Sequence, residues 1–180
     1  MSVSELESAV VEVAGVLEQL AVPYMLVGGL AVASWGEPRT TLDVDLSVWA
    51  QNDLDSVVAS LEKALKPAVP DVQAFVARTR VLPLSTSRGI RVDLIFAALP
   101  FEKQMIDRAG RKQFGDRVIP VASVEDLILL KSISLRAKDQ EDVRRLTVRF
   151  RDTLDKNYLN RRLSEFSEAL DRADLLKLMI

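Results

Sequence analysis

The chain has 180 residues, 24 Lys and Arg against 26 Asp and Glu for a net charge of -2, and neither histidine nor cysteine. Those two absences exclude a Ser-His-Asp triad, a thiol nucleophile, disulfide staples and any zinc site built from imidazole or thiolate. A composition of 48% apolar and 28% charged residues excludes disorder, which leaves a folded core whose chemistry rests on carboxylates, lysine, arginine, hydroxyls, backbone amides or a hard cation held by oxygen.

The N-terminal stretch MSVSELESAVVEVAG is acidic where a secretory signal is basic, and no apolar run approaches the roughly 20 residues of a membrane helix. The chain is therefore expected to be soluble and cytoplasmic, with no membrane partner. Ser4 and Glu7 form a capping box, and Leu6, Val10, Val13, Leu17 and Leu20 repeat at helical spacing until Pro23. Tyr24 to Val27 reads as a short buried strand stopped by Gly28-Gly29, with a short helix from Leu30 to Trp35. After the polar loop 36–41, Asp43 to Trp49 alternates as a strand, with Asp43, Asp45 and Ser47 on one face and Val44, Leu46 and Val48 on the other. Asn52 or Asp53 caps a helix carrying Leu54, Val57, Val58, Leu61 and Leu65, which Pro67 and Pro70 end.

Residues 74–84 and 90–97 are expected to be two antiparallel strands around the turn at 85–89. A helix over 101–109 and a short strand over 117–120 follow. Ser123 and Asp126 form a second capping box, and helices near 139–150, 155–170 and 172–179 complete an entirely helical tail. This order predicts an α+β fold with a C-terminal helical segment. The division is placed near Pro120: a core over 1–120 and a helical cap packed on it over 121–180.

Charge is distributed unevenly. Residues 1–62 carry ten acidic residues and one arginine, whereas 63–130 and 131–180 are net basic. The asymmetry fits internal pairing, and equally a site where carboxylates hold metal and basic residues hold phosphate. With 15 Asp in the chain, chance supplies roughly one D-x-D pair, so the two present need separate readings. Asp53-Leu54-Asp55 opens a helix, where acidic residues serve capping. Asp43-Val44-Asp45 lies on a strand, where Asp is disfavoured and like charges on one face repel. It is either the solvated face of an edge strand or a pair of oxygen ligands for a divalent cation.

Gly28-Gly29, between a strand and a helix, is either a tight turn or a place where backbone amides approach phosphate. The motifs G-x-x-x-x-G-K-[ST] and G-x-G-x-x-G are both absent. Asp93, in Arg91-Val92-Asp93-Leu94-Ile95-Phe96, is either an exposed strand residue or a third carboxylate. If its strand neighbours that of Asp43, three carboxylates converge, as two-metal phosphoryl transfer requires. Asp43 and Asp45 would then hold the nucleotide metal and all three the catalytic metal, with Asp93 placed to take the proton of the attacking hydroxyl.

Together, Gly28-Gly29-Leu30-Ala31 and Arg39-Thr40-Thr41-Leu42-Asp43-Val44-Asp45-Leu46 resemble the signature of the polymerase-β-type nucleotidyltransferase superfamily. The nearest likeness is to the bacterial abortive-infection toxin nucleotidyltransferases of the AbiEii type and their minimal relatives. Ser123 to Lys131 and Lys138-Asp139-Gln140-Glu141-Asp142 are similar to the later part of that pattern, so the resemblance spans about residues 24–142. It implies a palm-like mixed sheet with flanking helices, two Mg²⁺ ions with an NTP substrate, and transfer of a nucleotide to a hydroxyl acceptor, RNA or protein. It also implies a toxin–antitoxin or phage-defence role, with a cognate antitoxin or regulator as partner.

Carried over by residue, Gly28 and Gly29 face the triphosphate, Asp43 and Asp45 hold metal, and Asp93 is the third carboxylate. Thr41 falls on the nucleotide side of the motif, and Arg39 is either a phosphate or acceptor contact or loop charge. Lys131 interrupts an apolar helix. Alone it reads as a lysine reaching for the surface, and within the resemblance as a phosphate ligand. Asp139 and Asp142 either orient Lys131 or the base, or simply begin a helix. Arg144, Arg145, Arg149 and Arg151 form a basic run, either a solvated face or a surface for RNA. Many members carry Ser where Gly29 stands, so here that work passes to backbone amides. Two alternatives follow: a degenerate fold that binds nucleotide or a partner without turnover, and a small-molecule adenylyltransferase of the antibiotic-modifying kind.

Overall fold

The computed structural model describes residues 3–37, 40–50 and 53–180, the side chains of residues 3 and 4 excepted. Arg39, Asn52 and the Ser4 side chain thus lie outside the described residues. The chain forms two compact units, one running to Ala122 and the other comprising Trp35–Glu37 and Ser123–Ile180.

The first unit begins with α1 (Val3–Gln19), whose Leu6, Val10, Val13 and Leu17 recur every three or four residues and are all buried. Ala21 takes a left-handed backbone and Val22 N–H returns to the Leu17 carbonyl at 2.9 Å, closing the helix. Then come β1 (Tyr24–Val27), α2 (Gly28–Ser34), β2 (Asp43–Trp49), α3 (Leu54–Ala64), β3 (Lys66–Pro67), α4 (Val72–Thr79), β4 (Val81–Ser85), β5 (Arg91–Ala97), α5 (Pro100–Asp107), β6 (Gly110–Phe114) and β7 (Arg117–Val121). The strands form one mixed sheet in the order β3-β4-β5-β2-β1-β7-β6. β2 runs parallel to β5 and β1 parallel to β7, and the remaining pairs are antiparallel. All four residues of β1 are buried, so both faces of this strand are covered and no polar alternation appears.

Two expectations change. Residues 72–79 are a helix, not the first part of a strand. The Asp71 side chain accepts from Ala74 N–H at 3.0 Å, Val72 and Val76 bury one turn apart, and Arg80 in a left-handed conformation ends the helix. The strand therefore starts only at Val81. The short strand near 117–120 is half of a hairpin, its partner β6 being polar enough to escape a hydrophobic pattern. At α3, Asp53 makes no side-chain cap bond.

The second unit contains α6 (Val124–Ser132), α7 (Ala137–Phe150), α8 (Lys156–Leu170) and a 3₁₀ turn (Ala173–Leu178). The Ser123 hydroxyl caps α6 by accepting from Asp126 N–H at 3.1 Å. The Asp126 carboxylate does not complete a box. It is fully buried and takes the Ser123 hydroxyl at 3.0 Å and the Tyr158 hydroxyl at 2.7 Å. Trp35 meets Phe150 edge-on at 5.9 Å and Arg149 reaches Glu37 at 3.3 Å, fixing the segment after α2 to the end of α7. Among the described residues, no helix is long and apolar enough to cross a membrane.

Leu46, fully buried at the centre of β2, is expected to dominate the stability of the sheet. Leu46→Ala should cost about 2–5 kcal/mol, a fall of roughly 5–15 °C in Tm. By contrast, Leu42→Ala, at a side chain 64% exposed, should change stability by less than about 0.5 kcal/mol. Calorimetric melting of the two variants checks the contrast.

Candidate active site

The three strand carboxylates meet through sheet register. β2 lies between β1 and β5, and in the parallel pair Asp43 stands opposite Arg91 and Asp45 opposite Asp93. On its other side Asp45 stands opposite Val27, the last residue of β1. Residues two apart on a strand share a face, so Asp43, Asp45, Arg91 and Asp93 leave the sheet on the same side. Like charges on adjacent strands repel, and the chain offsets this with two hydrogen-bonding partners. The Thr41 hydroxyl donates to Asp43 Oδ1 at 2.9 Å. The Arg91 fork donates Nε to Asp93 Oδ1 at 3.2 Å and Nη2 to Asp93 Oδ2 at 3.0 Å. Arg91 is made more basic chiefly by that bond and by the charge of Asp93, with smaller additions from Asp43 and Asp45.

Gly28 is required by its neighbour. Its φ is +69°, and a Cβ there would stand 1.9 Å from Asp45 Oδ2 and 2.7 Å from its Cγ. No side chain fits while Asp45 keeps its place, so the glycine at the end of β1 and the carboxylate of β2 are one structural element. Gly29, the next residue, is buried at the start of α2, so its backbone is what it has to offer a ligand.

The donor set is entirely carboxylate oxygen, which suits a hard cation such as Mg²⁺ rather than a soft metal. Among the described residues, however, no three acidic side chains already close on one metal position. Asp43, Asp45 and Asp93 share a face and adjacent registers. Their oxygens are turned toward local partners: Thr41 on Asp43 and Arg91 on Asp93.

The second unit holds a buried charge cluster. Lys131 Nζ is 2.9 Å from Asp139 Oδ1 and 2.9 Å from Asp142 Oδ2, with the Lys131 side chain 8% exposed and that of Asp139 1%. Asp139 Oδ2 also accepts from the Ser134 hydroxyl at 2.7 Å and pairs with Arg136. Burial pushes the Asp139 carboxyl up, but bonds from Lys131, Ser134 and Arg136 outweigh it and bring it down to about 2. Asp139 and Asp142 thus both pair with Lys131, and Asp139 also lies in the first turn of α7. In the basic run, Arg144 and Arg145 both pair with Glu141, and Arg149 pairs with Glu37.

Arg91 is the site residue that motif reasoning passes over. Its signal is a basic residue two positions before Asp93 on a strand, hence on the same face.

Two outcomes follow from this geometry. Gly28 and Gly89 both have positive φ, but a Cβ at Gly89 meets nothing within 4 Å. Gly28→Ala should therefore lower Tm more than Gly89→Ala, and equal losses would show that contact with Asp45 does not fix residue 28 as glycine. For Asp139, a folded value below the ordinary 3.8 means its stabilisation is complete above about pH 4 and is lost as pH falls toward 2. Lys131→Met should cost about 3–5 kcal/mol at pH 7 by stranding the buried Asp139 carboxylate, and less at pH 4 as that carboxyl protonates. Urea denaturation at the two pH values measures the difference.

A family model described as nucleotidyl transferase AbiEii toxin, type IV toxin–antitoxin system, matches residues 14–179. No curated protein sequence matches the chain. Among solved structures it is similar to the lincosamide antibiotic adenylyltransferase LnuA in its lincomycin-bound form, with 21% identity and a TM-score of 0.55 over 78% of this chain and 96% of that one. It is also similar to an antigenic nucleotidyltransferase-like protein from Paracoccidioides brasiliensis, with 20% identity and a TM-score of 0.58 over 100% of this chain and 95% of the other. The antibiotic-resistance factor ANT(2'')-Ia gives 14% identity and a TM-score of 0.58 over 93% and 94%. At these identities the structural likenesses establish the fold. The family match, which covers nearly the whole length, shows that the chain belongs to the AbiEii nucleotidyltransferase family and is a nucleotidyltransferase.

Proposed function

We propose that this nucleotidyltransferase moves a nucleoside monophosphate from an NTP to a hydroxyl on RNA or protein, with Mg²⁺ held by Asp43, Asp45 and Asp93, as the toxin of a toxin–antitoxin pair. The observation that carries this reading is the register placing Asp45 opposite Asp93, with Asp43 on the same face and Gly28 against Asp45. Bound there, the cation would offset charge on the triphosphate and on the phosphoryl group in transfer.

The chain's own residues supply the rest. Thr41 fixes the Asp43 carboxylate, and Gly28 leaves room for that of Asp45. Asp93 takes the proton of the acceptor hydroxyl, a carboxylate filling the base role in a chain without histidine. Gly29 contributes backbone N–H rather than the hydroxyl found in many relatives, so phosphate binding rests on main-chain donors. The family description, a toxin of a type IV toxin–antitoxin system, supports a small cognate antitoxin as partner. The cytoplasm, where NTP and RNA are available, is the compartment this reading requires.

Asp45→Asn removes the charge at almost constant shape. It should lower transfer of label from α-³²P-NTP by more than about 100-fold with the fold intact by circular dichroism. Transfer at the wild-type rate in that variant would sink the site assignment. Incubating wild-type protein with each labelled NTP and total RNA, total protein or aminoglycoside and lincosamide acceptors separates the toxin reading from a small-molecule adenylyltransferase. Mg·NTP binding with no product on any acceptor would identify a degenerate binding module.

A further inference from the structure

Arg91 offsets repulsion among the strand carboxylates, but its own side chain is 63% exposed against 17% for Asp93, and an ion pair with one partner in water adds little to stability. Yet it engages both oxygens of Asp93 with its fork, at 3.2 and 3.0 Å, and it stands opposite Asp43 in the parallel pair. One guanidinium thus serves the face from which all three carboxylates project, and the charges of all three raise its basicity. A hard cation on Asp93 needs an oxygen that the fork already holds. A guanidinium fork fits phosphate as well as carboxylate, and the long exposed side chain can turn without disturbing the core.

We propose that Arg91 is a nucleotide-binding residue that pairs with Asp93 until a triphosphate draws it away, so that metal binding at Asp93 is coupled to nucleotide binding. The proposal rests on the reading of Asp43, Asp45 and Asp93 as metal-holding. The triphosphate takes the guanidinium and Asp93 is released. Reciprocity requires metal to favour nucleotide by the same factor as nucleotide favours metal. Free divalent cation would then be held weakly, and the full site would assemble only around substrate.

Calorimetric titration of the full chain with Mn²⁺ alone, and with an α,β-methylene NTP analogue at saturating Mn²⁺, tests this. Arg91→Gln should bind Mn²⁺ about tenfold tighter without nucleotide and the analogue about tenfold weaker with metal. Arg91→Lys, which keeps the charge but loses the fork, should change both in the same directions by less. It also provides the comparison should the glutamine variant fail to fold. An Mn²⁺ affinity unchanged or weaker in both variants overturns the proposal, as does an unchanged analogue affinity. Asp45→Asn distinguishes the deeper failure: if it binds Mn²⁺ as the wild type does, the metal-holding reading falls, and the Arg91 proposal with it.

Discussion

The parallel pairing of β2 with β5 is the constraint on which the site depends. It places Asp45 opposite Asp93 and Asp43 opposite Arg91, an arrangement that electrostatics alone opposes. A one-residue slip would turn the β5 side chains to the other face and bury Asp93 among apolar groups. Register is held by the alternate residues: Val44, Leu46 and Val48 on β2, and Val92, Leu94 and Phe96 on β5, are all buried. The apolar face thereby fixes the position of the charged one. The carboxylates are held by hydrophobic burial behind them rather than by any attraction among themselves.

The two charge clusters of the molecule follow opposite physical rules. In the second unit, Lys131 and its two carboxylates are withdrawn from water, so each charge depends on the others and the cluster acts as an anchor within the helical unit. On the sheet, the Arg91 end of its pair with Asp93 is exposed while the carboxylate is largely covered, so the guanidinium is held less firmly than the buried Lys131 ammonium.

Gly28 shows how a short motif acquires meaning from tertiary structure. In sequence, a glycine pair after a strand fits a tight turn as well as a phosphate approach. In the fold, Gly28 is fixed by the Asp45 carboxylate, which occupies the space a side chain would need. Strand-to-helix turn and D-x-D strand are therefore two halves of one feature, 17 residues apart in the chain.

By itself the sequence determined the element types wherever its pattern was strong: the helical repeat of α1, the alternation of β2 and the uninterrupted apolar run of β1. It also narrowed the chemistry, since a chain without histidine or cysteine has no imidazole or thiolate to serve as ligand or base. It misassigned 74–79, where an Asp71 cap and two valines one turn apart outweigh strand-like composition, and it passed over the polar strand β6. Strand order and register were decided by tertiary structure alone, because pairing between β2 and β5 joins residues about 48 positions apart that no local pattern connects. For the same reason the place of Arg91 opposite Asp43 is not legible in the sequence, although its pairing with Asp93 two positions on is local. The opening absence of imidazole and thiol keeps its force, but the fold gives it a place, on the face where Asp43, Asp45 and Asp93 stand with Arg91.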